Sequence, residues 1–344
     1  MKKILFSLTV FIVLLTSITL SMEVQELFNR AKEVNSNYIL SELALEKATM
    51  EYDKSMIEAS NRKSELSAET AFLNGKSSAD KYVKSFYTEI IGAVFSIKSS
   101  EKALDIAKLN YENSNIDYEK NEGLFKKALL SKQDLDDSRI DLDDKLNSLN
   151  KAQQDFDNLI DDFKRYTGIE WSQASDTSIE IPDYRKYLVN EDTWFAKSLS
   201  LGSSRKNLES AEYEVENLYS NSSEYAKRSA EINRKQKEIE LEMSEITLRN
   251  DKRTSEQSLE YSRKQLENLA GKLEIEKDIF KDTQDRYEKE LVSKQQFYQQ
   301  KISFLNSEKQ LIDAQKSYWN SLTGYLMSIG RTPEDVLVEE VSKE

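Results

Sequence analysis

An all-α fold, made of two tandem repeats of long antiparallel coiled-coil hairpins with little or no β-structure, follows from three features of the sequence. The chain repeats itself at a single offset: Ser131-Lys132-Gln133 recurs as Ser293-Lys294-Gln295, Ala152-Gln153 as Ala314-Gln315, and Gly168 as Gly330. That register is held without a gap, the mark of an internal duplication. Large apolar residues recur every seven positions on both sides of two candidate hairpin tips, the period of a coiled coil. Composition agrees: 32% charged and 38% apolar residues, eight Gly, two Pro, and neither Cys nor His, a profile of long helices.

The chain opens Met1-Lys2-Lys3, is apolar from Ile4 to Leu15 and reaches small residues at Thr19 and Ser21. Residues 1–21 therefore have the form of a secretory signal peptide cut after Ser21. An uncleaved membrane anchor is the alternative, and both export the chain. Cleavage removes Lys2 and Lys3, so 47 basic residues face 62 acidic ones, a net charge of −15. Nucleic acid is disfavoured as a partner, because phosphate binding needs concentrated Lys and Arg. An exported chain without Cys has no disulfides and no lipidated cysteine. Stability is thus expected from helix packing and oligomerisation rather than from one large core.

The first helical repeat spans residues 22–168, with its tip at 128–131. Val83, Ile90, Ile97, Leu104, Tyr111, Tyr118 and Phe125 form an unbroken line of sevens leading into that tip. Leu135, Leu142, Leu149, Phe156 and Phe163 resume the period beyond it. A seven-residue period on a 3.6-residue helix drifts slowly, which imposes a left-handed supercoil on the pair. Residues 169–190 form a non-helical connector in which Pro182 breaks the helix and Thr177 to Ile181 alternate. The second helical repeat, 191–330, turns at 290–293. Leu259, Leu266, Leu273, Phe280 and Tyr287 enter its tip, and Phe297, Phe304, Leu311, Tyr318 and Tyr325 leave it. Arg331-Thr332-Pro333 stops the last helix, and 331–344 is expected to be an acidic tail.

At each tip a serine restarts a helix. Ser131 can cap the Asp134 amide while the Asp134 carboxylate returns to the Ser131 amide, and Ser293 with Gln296 can do the same. An apolar turn precedes each box: Ala128-Leu129-Leu130 in one copy, Glu290-Leu291-Val292 in the other. Exposed at the end of a rod, such residues invite a partner; alternatively Leu129 and Leu291 close the turn against their own hairpin.

The stretches Tyr118 to Gly168 and Arg286 to Gly330 resemble the TolC-like outer-membrane efflux family, whose protomers are two repeats of long helices meeting at a periplasmic tip. The resemblance implies a homotrimeric, periplasmic α-helical conduit associated with the cell outer membrane. It also implies docking on a periplasmic adaptor protein served by an inner-membrane pump, in efflux or type I secretion. In the family each tip carries a Gly-Leu-x-Ser/Thr motif that contacts the adaptor. Leu129 and Ser131, and Leu291 and Ser293, fall on its apolar and hydroxyl positions, whereas Ala128 and Glu290 replace its glycine. A left-handed backbone costs a non-glycine residue roughly 1–2 kcal/mol, so a differently shaped tip is expected here.

The family also inserts transmembrane strands into each repeat, and a spanning strand needs roughly 9–11 alternating residues. Residues 61–78 offer one weak, charge-interrupted alternation, and 220–227 suffice only for a turn, so no lipid-spanning strand is expected. Asp134, Asp137, Asp141 and Asp144 lie on one helical face above the first tip. They are either a solvated surface or, in a closed tube, an acidic ring at its entrance. Without His or Cys there is no imidazole base, thiolate or ordinary zinc ligand set, and the Asp cluster lacks an EF-hand's glycine and terminal glutamate. No enzyme, cofactor or metal site is expected. The alternative to a conduit is a barrel-less periplasmic coiled-coil spacer or chaperone-like structural protein.

Overall fold

The structure, a computed structural model, describes residues 22–219 and 221–341; the candidate signal peptide lies outside the described residues. Ten helices follow in order: α1 (Val24–Val34), α2 (Ser36–Glu58), α3 (Arg62–Lys126), α4 (Lys132–Thr167), α5 (Trp171–Ala174), α6 (Glu191–Lys197), α7 (Leu199–Glu216), α8 (Glu224–Glu288), α9 (Lys294–Ser328) and α10 (Pro333–Val341). No strand occurs among the described residues. The duplication is visible in the backbone, since α3 and α8 both have 65 residues and begin and end at equivalent positions. Each is a rod of about 97 Å at 1.5 Å per residue.

Local chemistry sets the boundaries. Asn35, Asn61, Ser131, Ser198, Ser223 and Ser293 each sit in extended backbone before a helix and accept a hydrogen bond from a first-turn amide, satisfying donors that the helix itself leaves unpaired. Asn35 does more. Its amide nitrogen also donates to Glu89 Oε2 at 2.9 Å and to the Tyr166 carbonyl at 3.2 Å, tying α2 to α3 and to the end of α4.

The rods lie side by side in one layer. Toward the tips the order is α4–α3–α9–α8, and toward the other end it is α2–α3–α7–α8. Ser99 donates to Asp313 at 2.7 Å and Lys102 pairs with Glu308 at 3.0 Å, so α3 and α9 run antiparallel and both tips share one end. At the opposite end Arg62 bridges Glu65, Glu69 and Glu209, Lys63 pairs with Glu214 at 2.8 Å, and Lys206 joins Glu69 and Glu209. The loops 59–61 and 217–223 are therefore neighbours. Helices α2 and α3 approach closely at Gly75, where a Cβ would fall 2.5 Å from that of Ala48.

The predicted seams form. In the second hairpin Phe280 stacks on Phe304 with centroids 5.2 Å apart, and Tyr287 stacks on Phe297 at 4.7 Å, all four being members of the seven-residue lines. Mid-rod, however, a substantial core gathers Leu27, Phe28, Phe86, Ile90, Phe163, Trp194, Tyr318, Trp319 and Val336 around the four-helix layer. That core exceeds what composition suggests, because α1, the connector and α10 all wrap the same level.

The connector is partly helical, holding α5 and a 3-10 turn at Tyr184–Tyr187. Helix α9 pins it. Tyr318 donates to the Pro182 carbonyl at 2.6 Å and accepts from the Tyr184 amide at 3.0 Å, Trp319 donates to the Glu180 carbonyl at 3.0 Å, and Tyr325 accepts from the Val189 amide at 3.1 Å. Within the acidic segment 331–344, residues 333–341 form α10, which Thr332 and Asp335 cap reciprocally and Pro333 opens with a preset φ. Glu334 anchors it by accepting from Lys32 at 2.6 Å, Tyr87 at 2.8 Å and Gln25.

Candidate functional site

Both tips are built the same way. In the first, Leu129 donates to the Leu124 carbonyl at 2.9 Å and Ala128 to that of Phe125 at 2.8 Å; in the second, Leu291 donates to Arg286 at 2.8 Å and Glu290 to Tyr287 at 2.9 Å. This paired 6→1 and 5→2 pattern is a Schellman motif, which places the penultimate residue in the left-handed region. Ala128 and Glu290 accordingly both have φ of 59°. The expectation of a differently shaped tip is corrected: the hydrogen-bonded turn overrides the missing glycine, at roughly 1–2 kcal/mol of strain per residue. With Gly168 (φ 70°) and Gly330 (φ 71°), these are the left-handed residues among those described, and they form two pairs at the offset of the sequence repeat.

The left-handed turn throws the next side chain outward. Leu129 is 70% exposed and Leu291 is 66% exposed, so neither closes against its own hairpin. Two residues on, Ser131 and Ser293 accept the Asp134 and Gln296 amides at 3.1 and 3.2 Å. The second capping box is complete, with Gln296 Oε1 accepting from the Ser293 amide at 3.0 Å. The first is not. Asp134 is one methylene shorter than Gln296, and its carboxylate accepts from the Ser131 hydroxyl at 2.7 Å instead of from the amide.

The acidic face is less uniform than its spacing. Asp141 accepts from Ser114 of α3 at 2.6 Å and pairs with Lys145 at 3.4 Å, and Asp134 is engaged by its cap, whereas Asp137 and Asp144 are exposed. Ile140, 57% exposed, lies among them. No cluster of potential metal ligands occurs among the described residues.

Sequence inspection missed the layer's edges. Helix α2 exposes Leu43, Met50 and Ile57, and α8 exposes Ile232, Ile239 and Ile246, each set at spacings of seven. The period was available as a signal; what it lacked was knowledge of which helices end up at the layer's edges, with one side uncovered. Among the described residues no helix is long and apolar enough to cross a membrane.

No protein-family model matches the chain, and no curated protein matches its sequence. Solved structures do. The chain is similar to the Campylobacter jejuni CmeC outer membrane channel at 14% identity, covering 92% of this chain and 88% of that one with a TM-score of 0.54. It is similar to the outer membrane protein VceC of Vibrio cholerae at 9% identity, with coverages of 89% and 95% and a TM-score of 0.54. The open state of the Neisseria gonorrhoeae MtrE outer membrane channel aligns at 12% identity, with coverages of 89% and 88% and a TM-score of 0.53. These neighbours are channel proteins, not enzymes. At such identities the likeness speaks for architecture, and the chain has the helical fold of the TolC-like outer-membrane channels.

Proposed function

We propose that this chain is a component of an efflux or type I secretion system, forming an α-helical conduit across the periplasm that docks through its tips on an adaptor protein. The observation that carries the proposal is the presentation of Leu129 and Leu291, 70% and 66% exposed, at one end of paired ~97 Å rods. Strained turns that hold apolar side chains in water suit a binding role better than a structural one. The fold shared with outer-membrane channels supports the conduit, and the unpartnered apolar edges on α2 and α8 support a homotrimer closed by edge-to-edge contact. In that assembly Asp137 and Asp144, with Asp134 and Asp141 behind them, would ring the entrance, and an inner-membrane pump would feed it through the adaptor.

Since the chain contains no Cys, single cysteines at Leu129 or Leu291 report unambiguously. Crosslinks from both to a periplasmic adaptor, with a trimeric native mass, are expected. Recovery as a soluble monomer without such crosslinks would instead favour the spacer or chaperone-like reading, which the short loops 59–61 and 217–223 at the other end also suit. For the acidic face, Asp137→Asn with Asp144→Asn should weaken divalent-cation binding; unchanged binding would remove the ring.

A further inference from the structure

The four-helix layer has a gap partway along its length. Its third position is held by α9 toward the tips and by α7 toward the other end. Where α9 stops at Ser328 and α7 starts at Leu199, a cavity of about 630 Å³ opens between α3 and α8. Lys81 and Lys84 of α3 and Lys197 at the end of α6 line it. Nearby, Arg249 pairs with Glu191 and Lys252 with Glu256. Among the described residues, Lys81, Lys84 and Lys197 have no such partner.

The contact between α3 and α9 shows how a lysine here is satisfied from within. Lys316 crosses Gly92, its Cε 3.6 Å from where a Cβ would stand, and donates to Ser96 Oγ at 2.7 Å. Lys84 makes the reciprocal crossing over Gly324, its Nζ 3.4 Å from the Cβ position. Ser328 stands to Gly324 as Ser96 does to Gly92, yet Lys84 makes no bond to it. Lys197 lies across the end of α9, its Cδ 3.7 Å from the Cβ position of Gly330. Donors of other kinds adjoin these ammonium groups. Ser198 accepts the Leu201 amide at 3.2 Å, and the Leu199 and Ser200 amides ahead of it have no intrahelical acceptor. Trp194 lines the cavity and is 2% exposed, and its buried indole N–H has no acceptor, a state that native structures rarely leave unexplained. Two carboxylates, Asp80 and Asp251, line the cavity as well. Burial pushes the Asp80 carboxyl up, against the pull of Lys76. Three ammonium groups against two carboxylates leave the lining net positive, in a chain that is strongly acidic overall.

We propose that this cavity binds a polyvalent oxyanion of the phosphate type, held by the ammonium groups of Lys81, Lys84 and Lys197, the first amides of α7 and the Trp194 indole N–H. Lysine meets phosphate as a point charge that needs no fixed angle, and the start of a helix adds amides that favour an anion. A singly charged carboxylate would engage fewer of these donors. Inorganic phosphate, pyrophosphate and small phosphate esters share the required chemistry, and the cavity lies within the range of about 300–1,000 Å³ usual for small-molecule sites. The site is remote from the tips and from the open edges of the layer, so it stands or falls apart from the conduit reading.

Calorimetric titration of the purified protein with inorganic pyrophosphate tests it, with orthophosphate and glycerol 3-phosphate in parallel and acetate as the singly charged control. Pyrophosphate is expected to saturate one site per chain, with half-saturation at or below about 1 mM, and acetate is expected not to compete. Which of the three phosphates binds most tightly identifies the source. Lys84→Gln with Lys197→Gln should weaken binding at least about tenfold, the loss of two charge-assisted bonds. Lys132→Gln with Lys289→Gln, at the tips, should leave it unchanged. Asp80→Asn removes an opposing charge and should tighten binding at least about twofold, and Trp194→Phe, which lacks the N–H, should weaken it by a similar factor. The proposal is overturned if no phosphate binds saturably, if acetate competes equally, or if the tip variant loses as much affinity as Lys84→Gln with Lys197→Gln. It is equally overturned if the cavity variants bind as the parent does. Lys84 and Lys197 are exposed, and far-UV circular dichroism checks that each variant is folded.

Discussion

Replacing Ala128 with glycine is expected to strengthen the first tip, the opposite of what glycine does elsewhere in these helices. Ala128 holds φ at 59°, where its Cβ crowds the following carbonyl at roughly 1–2 kcal/mol. Glycine removes that clash but makes the unfolded chain more flexible, an opposing effect of about 0.4–1 kcal/mol. The net gain is about 0.5–1 kcal/mol, a factor of about 2–5 in the local opening constant, given that 1.4 kcal/mol is tenfold. Native-state hydrogen exchange at the Leu129 amide measures it directly, because that amide donates to Leu124 across the turn. Exchange should slow by that factor. Glu290→Gly should do the same for Leu291, and Glu290→Asn should recover part of the gain, since Asn tolerates the left-handed region. The internal control is Ala107→Gly in the body of α3, where glycine costs about 0.5–1 kcal/mol and should accelerate exchange nearby. If Ala128→Gly behaves like Ala107→Gly, the left-handed tip is wrong.

Other changes probe the mid-rod core and its clasps. Gly168→Ala should destabilise by about 1–2 kcal/mol from backbone strain, and further because its Cβ would meet Val34 at 3.3 Å; Gly330→Ala meets only Lys197 at 3.7 Å and should cost less, as denaturant midpoints would show. Tyr318→Phe leaves the Pro182 carbonyl and the Tyr184 amide without their buried partner, a loss of about 1–3 kcal/mol readable in thermal unfolding. Burial pushes the Glu334 carboxyl up, but bonds from Lys32, Tyr87 and Gln25 hold it below the usual carboxylate range. The stabilisation it provides is therefore complete above the ordinary carboxylate pKa and is lost as pH falls through the lower folded value. Glu334→Gln should flatten the acid limb of the stability profile, and an unchanged limb would show that the clasp contributes nothing there.

Much of this architecture was legible because its determinants are local and periodic. The lines of sevens from Val83 to Phe125 and from Phe297 to Tyr325 fix helix, partner and register at once, and Ser131 and Ser293 announce the restarts. The misses have a common physical origin. Propensity argued against left-handed Ala128 and Glu290, yet the requirement to turn the chain between two packed rods outweighs a cost of roughly 1–2 kcal/mol. The connector looked like a linker because its order is imposed from more than a hundred residues away by Tyr318, Trp319 and Tyr325. Helix α10 looked like a tail because its anchor, Glu334, finds its partners in α1 and α3. In each case the deciding interaction is long-range, and a single sequence does not print it.

The edges of the layer bear on the choice between conduit and spacer. A sheet of four helices has two open sides. On α2 the open side carries Leu43, Met50 and Ile57, and on α8 it carries Ile232, Ile239 and Ile246. Because the two stripes belong to different helices, pairing them joins unlike surfaces, a heterologous contact that either closes a ring or runs on as a filament. A monomeric spacer would leave both stripes in water along its whole upper half, exposure that soluble monomers rarely carry. The apolar edges therefore weigh toward assembly of several copies rather than a lone spacer, and they do so independently of the tips.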